Sequence, residues 1–358
     1  MKNLFLLFLA LSTTVFASEP LTANFTLGNP QVKSINALTF GPEGILFIGD
    51  SEAGSIVALK TDDAKQEGTI DIKNVDQVLA ALLGTPANQV NIIDMAINPV
   101  SGKVYLAVST PTGGSLLLRS TGKTFENIAL DNVSFSKVSL TNPIAVDKKD
   151  RRGMSMRNMA ISDVQYYKGK VIVSGLSNDE FSSSLRSIDF PFNDAQKYST
   201  LEIYHANHAK YETLSPIKTF LPYTLNGKDM VVASYTCTPL VLFSIDELSP
   251  GKHLKGKTVA ELGNRNTPLD IVSIKQKGKE FFIMANTSRA LMKIDPEKVA
   301  NTTNFLTTPA AETAGVEFIN LPYVNVLQLD KINDENIVAL QRKANGDLDL
   351  MTIQTERL

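Results

Sequence analysis

Residues 35–60 read INALTFGPEGILFIGDSEAGSIVALK and contain three apolar segments separated by two polar stretches. The first polar stretch, GPEG (41–44), has the composition of a tight turn, and the second, DSEAGS (50–55), that of a longer loop. The middle segment, ILFIG (45–49), is apolar without alternation, which is typical of a strand covered on both faces. These residues therefore predict three consecutive antiparallel strands.

The same plan occurs six times along the chain. The six segments start 52 to 68 residues apart and span 35–60, 92–120, 160–189, 217–246, 269–295 and 324–353. A fourth short strand can follow each of the first five, in GTIDI, ENIAL, TLEIY, KTVAEL and VEFI. Repeated four-stranded units predict an all-β protein, a single β-propeller of six blades. Seven blades are the alternative, if residues 121–159 contain another unit.

The sixth segment has no fourth strand after it, whereas residues 21–28 (LTANFTLG) form a strand pattern that belongs to no unit. We predict that 21–28 pairs with the strand near Leu348–Ile353. The N-terminal strand would then close the ring and remove an exposed edge.

The first 17 residues, MKNLFLLFLALSTTVFA, have one early lysine, an apolar core and a small-x-small ending. This pattern predicts a secretory signal peptide over 1–17. Residues 18–358 are then expected to form one propeller domain that is periplasmic or secreted. The single cysteine excludes an internal disulfide.

The charge balance of the chain argues against polyanionic partners. Without Lys2 there are 34 basic and 37 acidic residues, a net charge of −3. A chain so nearly neutral is not expected to bind nucleic acid. No later apolar run approaches the ~20 residues of a membrane-spanning helix, so membrane insertion is not expected.

Residues 37–60 (ALTFGPEGILFIGDSEAGSIVALK) resemble the repeats of secreted bacterial propellers of the NHL, YVTN and strictosidine-synthase/gluconolactonase groups. Asn158–Phe192 and Tyr204–Asp295 are also similar to exported bacterial propellers without an established function. Gluconolactonase-like enzymes hold a divalent metal in the tunnel with Glu, Asn and Asp residues. This chain offers those residue types, without matching the motif position by position, at Asp50, Glu52, Asn178, Asp179 and Asn286.

Strand direction alternates within a blade, so the loops between second and third strands share one face with the connections between blades. This loop-rich face is expected to carry the loops at 50–52, 178–181, 235–239, 286–289 and 341–343, and the connections at 141–158, 204–212 and 263–268. Elaborated loops on a rigid scaffold indicate a binding site. We predict ligand contacts over blades three to five, from Glu180, His205, His208, Tyr235, Arg265, Asn286 and Arg289.

Two of the three histidines of the chain lie in YHANHAKYE (204–212). With a nearby carboxylate or the thiolate of Cys237, His205 and His208 could hold zinc or copper. The alternative is that these imidazoles hydrogen-bond to neighbouring groups. A divalent metal ion is the one cofactor that the residue types suggest. Arg265 and Arg289 could clamp an anion, or they could pair with loop carboxylates.

The sequence contains no Gly-x-Ser-x-Gly elbow, P-loop, dinucleotide-binding glycine motif or His-Glu-x-x-His. We therefore assign no catalytic residues and favour a non-enzymatic, monomeric propeller. Its partner is expected to be a small molecule or a protein on the loop-rich face. The alternative function is a metal-dependent hydrolase of the lactonase type, acting at the tunnel mouth.

Overall fold

A computed structural model describes residues 20–111 and 113–358. Across these residues the strands form six sheets, which are the blades of a propeller around a central tunnel, as predicted. The expected signal peptide, residues 1–17, lies outside the described residues. Within the described ranges the α-helices are Val75–Leu83 and Pro296–Ala300, and neither they nor the short 3-10 turns could cross a membrane.

Each blade has four antiparallel strands from the tunnel outward, and three blades carry additional edge strands. Blade 1 contains Ala37–Phe40, Ile45–Asp50, Ser55–Lys60, Val133–Ser139 and the edge strand Thr26–Gly28. Blade 2 contains Asn91–Ile97, Val104–Ser109, Ser115–Thr121 and Thr124–Asn127. Blade 3 contains Asp163–Tyr167, Lys170–Leu176, Ser183–Asp189 and Gln196–His205, with Lys210–Glu212 and Lys252–Lys255 beside the fourth strand.

The remaining three blades follow the same plan. Blade 4 contains Thr219–Leu225, Lys228–Ser234, Pro239–Ser244, Lys257–Leu262 and the edge strand Thr313–Gly315. Blade 5 contains Pro268–Gln276, Lys279–Asn286, Met292–Ile294 and Phe318–Asn320. Blade 6 contains Val326–Lys331, Asn336–Arg342, Leu348–Gln354 and Asp71–Ile72.

The apolar second strands are covered on both faces, as their composition predicts. All six residues of Ile45–Asp50 are buried. Since successive side chains point to opposite faces, Phe47 packs against blade 3 while Leu46 and Ile48 pack against blade 2. The core of the protein is therefore a series of layers between neighbouring blades.

The blades do not follow one another around the ring in sequence order. The inner strand of blade 1, Ala37–Phe40, contacts those of blades 2 and 3, and the inner strand of blade 6, Val326–Lys331, contacts that of blade 2. One apolar cluster joins blades 2 and 6, including Leu106 and Leu340, and another joins blades 1 and 2. The spatial order is thus 1, 3, 4, 5, 6, 2.

This order results from two exchanged strands. After the third strand of blade 1 the chain crosses to blade 6, where Asp71–Ile72 pairs with Leu350 and Met351. The chain then forms blade 2 and returns, so that Val133–Ser139 becomes the fourth strand of blade 1. The long segment 121–159 therefore contains this returning strand rather than a seventh blade.

The predicted closure by residues 21–28 is wrong. Thr26–Gly28 pairs with Val133–Phe135 at the outer edge of blade 1. The site predicted for it, beside Leu348–Gln354, is occupied by Asp71–Ile72, which the pattern had placed in blade 1. Each of these two short segments thus lies in the blade predicted for the other, but the fourth place of blade 1 belongs to Val133–Ser139, and Thr26–Gly28 lies outside it.

The loops of the loop-rich face lie against the inter-blade connections, as predicted. Ser51 Oγ donates to the Ile161 carbonyl at 3.1 Å, and the Cys237 N–H donates to the Asn266 carbonyl at 2.7 Å. Each such contact ties the loop of one blade to the connection that leads into the next blade.

Candidate functional site

The connection between blades 3 and 4 brings the two neighbouring histidines together with a carboxylate. The strand Gln196–His205 ends in a 3-10 turn, Ala206–His208, and the chain folds back as Lys210–Glu212. In this hairpin Ile203 pairs with Glu212, and His205 pairs with Lys210. The reversal places the Glu212 side chain beside both imidazoles.

Glu212 bridges the two histidines. Its Oε1 lies 2.7 Å from Nδ1 of His208, and its Oε2 lies 3.2 Å from Nδ1 of His205. Burial alone would raise the pKa of Glu212, but the hydrogen bonds with the two histidines outweigh it and lower that pKa to about 2. The carboxylate is therefore ionised at neutral pH and accepts a hydrogen bond from each ring. The ring centroids are 3.8 Å apart.

A second carboxylate, Glu261 in the fourth strand of blade 4, lies behind the turn and is fully buried. Its Oε1 accepts from the Ala206 N–H at 2.7 Å, and its Oε2 accepts from Asn207 Nδ2 at 2.8 Å. Burial raises its pKa, opposed by the nearby His205 ring and these donors. Glu261 thereby fixes the turn that carries both histidines.

The other nitrogen of His205 points toward Glu261. His205 is 1% exposed, and its Nε2 lies 3.8 Å from Glu261 Oε2. Among the atoms of residues 20–111 and 113–358, this Nε2 has no hydrogen-bond partner. His205 thus lies between two carboxylates, in hydrogen-bond contact with one of them.

Two of the predicted ligand contacts lie below the surface. Tyr235 is 2% exposed, and burial raises the pKa of its hydroxyl, which has no partner in the described part of the chain. Asn286 is 1% exposed; its Oδ1 accepts from Asn266 Nδ2 at 3.1 Å. The structure places both side chains beneath the loops rather than in contact with solvent.

The two predicted arginines lie farther around the same face. Arg265 is exposed, and the Arg289 guanidinium lies directly against Gly263, where any side chain would collide with it. Arg289 also lines a shallow surface cavity together with Glu261. Neither arginine forms an ion pair with a carboxylate of the described residues. Arg157 is buried and donates to the carbonyl oxygens of Glu52 and Ile144.

Glu180 borders a different cavity, of about 330 Å³, between the loops at 144–156 and 177–182. Ile144, Met156 and Leu214 supply its apolar part. Its charged residues are Lys148, Lys149, Asp150, Arg151, Asp179 and Glu180. Leu214, which lines this cavity, lies two residues after Glu212 in the chain.

The tunnel contains four aspartates that we did not predict as functional residues. They line a cavity of about 180 Å³ and come from the inner strands of four blades, as Asp94, Asp163, Asp270 and Asp330. Each accepts a hydrogen bond from a backbone N–H group of the next blade. The donors are Leu38 for Asp94, Phe220 for Asp163, Leu329 for Asp270 and Ile97 for Asp330. The available signal was a lone carboxylate inside an otherwise apolar first strand, as in IIDMAI (92–97).

Enclosure by protein raises the pKa of every tunnel aspartate. The pKa rises to about 8 for Asp94, about 7 for Asp163 and about 6 for Asp330, and it lies well above the ordinary value for Asp270. Removal from bulk water is the main cause, and the neighbouring carboxylates add to it for Asp94 and Asp270.

The carboxylates of the histidine site also went unassigned. Glu212 stands in YHANHAKYE itself, but its role depends on the hairpin that returns it to the histidines. Glu261 is 53 residues after His208 and reaches the turn from blade 4. Asp50 is one of the residues named above as candidate ligands of a metal in the tunnel. Its carboxylate already accepts hydrogen bonds from the N–H groups of Lys33, Ser34 and Ala53.

No protein-family model matches the sequence, and no curated protein matches it. Among solved structures, Drosophila Semaphorin 1b, extracellular domains 1-2, is 8% identical, with 94% of this chain and 85% of that chain covered and a TM-score of 0.40. Drosophila Plexin A in complex with Semaphorin 1b is 9% identical, with 92% of this chain and 88% of that chain covered and a TM-score of 0.40. The PQQ-bound aldose sugar dehydrogenase from Streptomyces coelicolor is 11% identical, with 92% of this chain and 99% of that chain covered and a TM-score of 0.32. The interpretation of the site therefore rests on its own residues.

Proposed function

We propose that this chain is an exported binding protein that takes up an apolar segment of a partner protein on its loop-rich face. The observation that carries the proposal is the cavity of about 330 Å³ between the loops at 144–156 and 177–182. This volume lies at the lower end of the range of ligand-binding pockets in proteins.

Three exposed apolar side chains lie in or beside the loops that border this cavity. Leu214, Val146 and Met154 are each exposed by at least 60% of their surface, and all three lie in or beside the two loops. Exposed apolar side chains that occur together, rather than singly, indicate an interaction site. Such residues can pack against a partner that lies across the cavity.

Charged residues of both signs surround this apolar centre. In the part of the chain that the structure describes, Lys148, Lys149 and Arg151 form no ion pair. Asp150 accepts a hydrogen bond from the Met154 N–H, and Asp179 accepts hydrogen bonds from the side chains of Ser177 and Asn142. An apolar centre with a polar rim is the usual arrangement of a protein-protein interface. The free cations of the rim favour a segment that also carries carboxylates.

A hydrolase centred on the tunnel has less support. Each of the four tunnel aspartates accepts hydrogen bonds from two backbone N–H groups, one of its own following residue and one of the next blade. The carboxylates thereby join neighbouring blades. Groups that are held in this way are poorly placed to bind a metal or a water nucleophile.

The proposal can be tested by selecting peptides from a display library against the full chain, and measuring their affinity by fluorescence anisotropy. Peptides with a large apolar residue and nearby carboxylates should be selected, and Leu214→Asp should weaken them at least tenfold. Leu27→Asp is the matched control, since Leu27 is 71% exposed on the outer edge of blade 1. Equal binding by the parent and Leu214→Asp would contradict the proposal, as would selection of no peptide.

A further inference from the structure

We propose that His205, His208 and Glu212 form a binding site for one divalent transition-metal ion of the zinc class, with Glu261 as the carboxylate that orients His205. This site is independent of the proposed peptide cleft, because it uses none of the residues that line that cavity.

The three side chains already have nearly the separations of metal ligands. One ligand atom from each lies within 4.8 Å of the other two. The distances from Nδ1 to the nearer oxygen of Glu212 are 3.2 Å for His205 and 2.7 Å for His208. Ligands of a tetrahedral zinc ion with bonds of about 2.0–2.1 Å stand about 3.3 Å apart. These two distances end on different oxygens of Glu212, and each differs from the separation in a zinc site by about 0.6 Å or less.

The donor set selects the kind of metal. Two imidazoles and one carboxylate suit zinc and its first-row neighbours, whereas calcium and magnesium require oxygen ligands. Three protein ligands also leave a coordination position for water or another ligand. His208 is 40% exposed in its side chain, so this position is accessible from solvent.

The surroundings of His205 provide an independent observation. A metal-bound histidine usually directs its second ring nitrogen at a carboxylate, which fixes the ring and increases its basicity. His205 Nε2 is buried, lacks a hydrogen-bond partner among the described residues, and lies 3.8 Å from Glu261. When a metal binds Nδ1, the neutral His205 ring carries its single N–H proton on Nε2. Glu261 is the carboxylate toward which this N–H would point.

The same geometry explains why Glu261 is buried in this position. Its two oxygens hold the Ala206 N–H and the Asn207 side chain, so the turn between the two histidines is rigid before any metal binds. Rigid ligands lose little conformational freedom on binding, which favours affinity.

The test is a zinc titration of the full chain after removal of metals with a chelator, with a competing chromophoric chelator as the readout. The variants are His208→Gln, Glu212→Gln and Glu261→Gln. The matched control is His253→Gln, because His253 is the third histidine of the chain and contacts Thr200 instead of the cluster. Thermal melting in chelator verifies that each variant is folded.

The parent and His253→Gln should bind one zinc ion per chain with equal affinity. Glu261→Gln should weaken zinc about 10- to 100-fold, and the two ligand variants should weaken it further. Zinc should raise the melting temperature of the parent but not of His208→Gln. Absence of stoichiometric binding by the parent would overturn the proposal. Equal binding by His208→Gln, or an equal loss in His253→Gln, would show adventitious zinc and would also overturn it.

Discussion

The Asp330 carboxylate in blade 6 accepts a hydrogen bond from the Ile97 N–H in blade 2, at 2.6 Å and across 233 positions of sequence. Asp270 makes the same contact with the Leu329 N–H, and Asp94 makes it with the Leu38 N–H. Carboxylates of the inner strands thus connect consecutive blades, and the bond of Asp330 joins the last unit of the chain to the second.

Replacing Asp330 by Ala should lower the free energy of unfolding by about 1–3 kcal/mol, because the N–H groups of Ile97 and Lys331 lose their acceptor inside the tunnel. Urea denaturation measures this loss. Asp334→Ala is the control, since Asp334 is exposed and its ion pair with Lys331 should contribute only about 0–1 kcal/mol. Equal losses in the two variants would contradict a closing role for Asp330.

The raised pKa values of the tunnel aspartates predict that stability falls as the pH rises. Burial raises the pKa of Asp163 to about 7 and of Asp94 to about 8, above the value of about 4 in the unfolded chain. The folded state therefore retains protons that the unfolded state has released. This contribution to stability is complete below about pH 4 and is lost as the pH rises through 7 and 8.

The measurement is the free energy of unfolding between pH 5 and 9 in the parent and in Asp94→Asn. The variant should show a smaller decline, because its amide does not titrate. Asp131→Asn, at an exposed position, should decline like the parent. Parallel curves for the parent and Asp94→Asn would contradict this prediction.

Deleting residues 20–28 should leave the ring closed and lower the melting temperature only slightly. This segment adds a three-residue edge strand, and its Leu21 and Phe25 are only partly buried against the apolar cluster shared by blades 1 and 3. Val138→Asp should cost on the order of 4 kcal/mol, because Val138 is buried in the returning strand of blade 1. A deletion as damaging as Val138→Asp would restore a closing role for the N-terminal strand.

The backbone at Cys237 predicts which substitutions its loop accepts. Cys237 has a φ of 67° and the next residue, Thr238, has a φ of 57°, so both occupy the left-handed region. Cys237→Gly should remain close to the parent in stability, whereas Cys237→Val should cost about 1–3 kcal/mol. Chemical denaturation of both variants distinguishes this strain from a packing role, in which Val would be the better tolerated residue.

The sequence by itself determined the fold class and favoured six blades over seven. Both depend on local features that recur along the chain: an apolar second strand such as Ile45–Asp50 and a polar loop in every unit, and a Gly-centred turn in the first five. The position of the loop-rich face also followed, because strand direction must alternate within an antiparallel sheet. His205 and His208 were recognisable as a pair from their spacing.

Tertiary structure alone decided the order of the blades and the composition of the site. Asp71–Ile72 and Thr26–Gly28 have equally weak strand patterns, and their sheets were decided by which edge each could reach. Glu212 meets the histidines only because a hairpin reverses the chain, and Glu261 reaches them from another blade. Sequence patterns report the period of one element, whereas contacts between distant elements depend on packing that no local pattern contains.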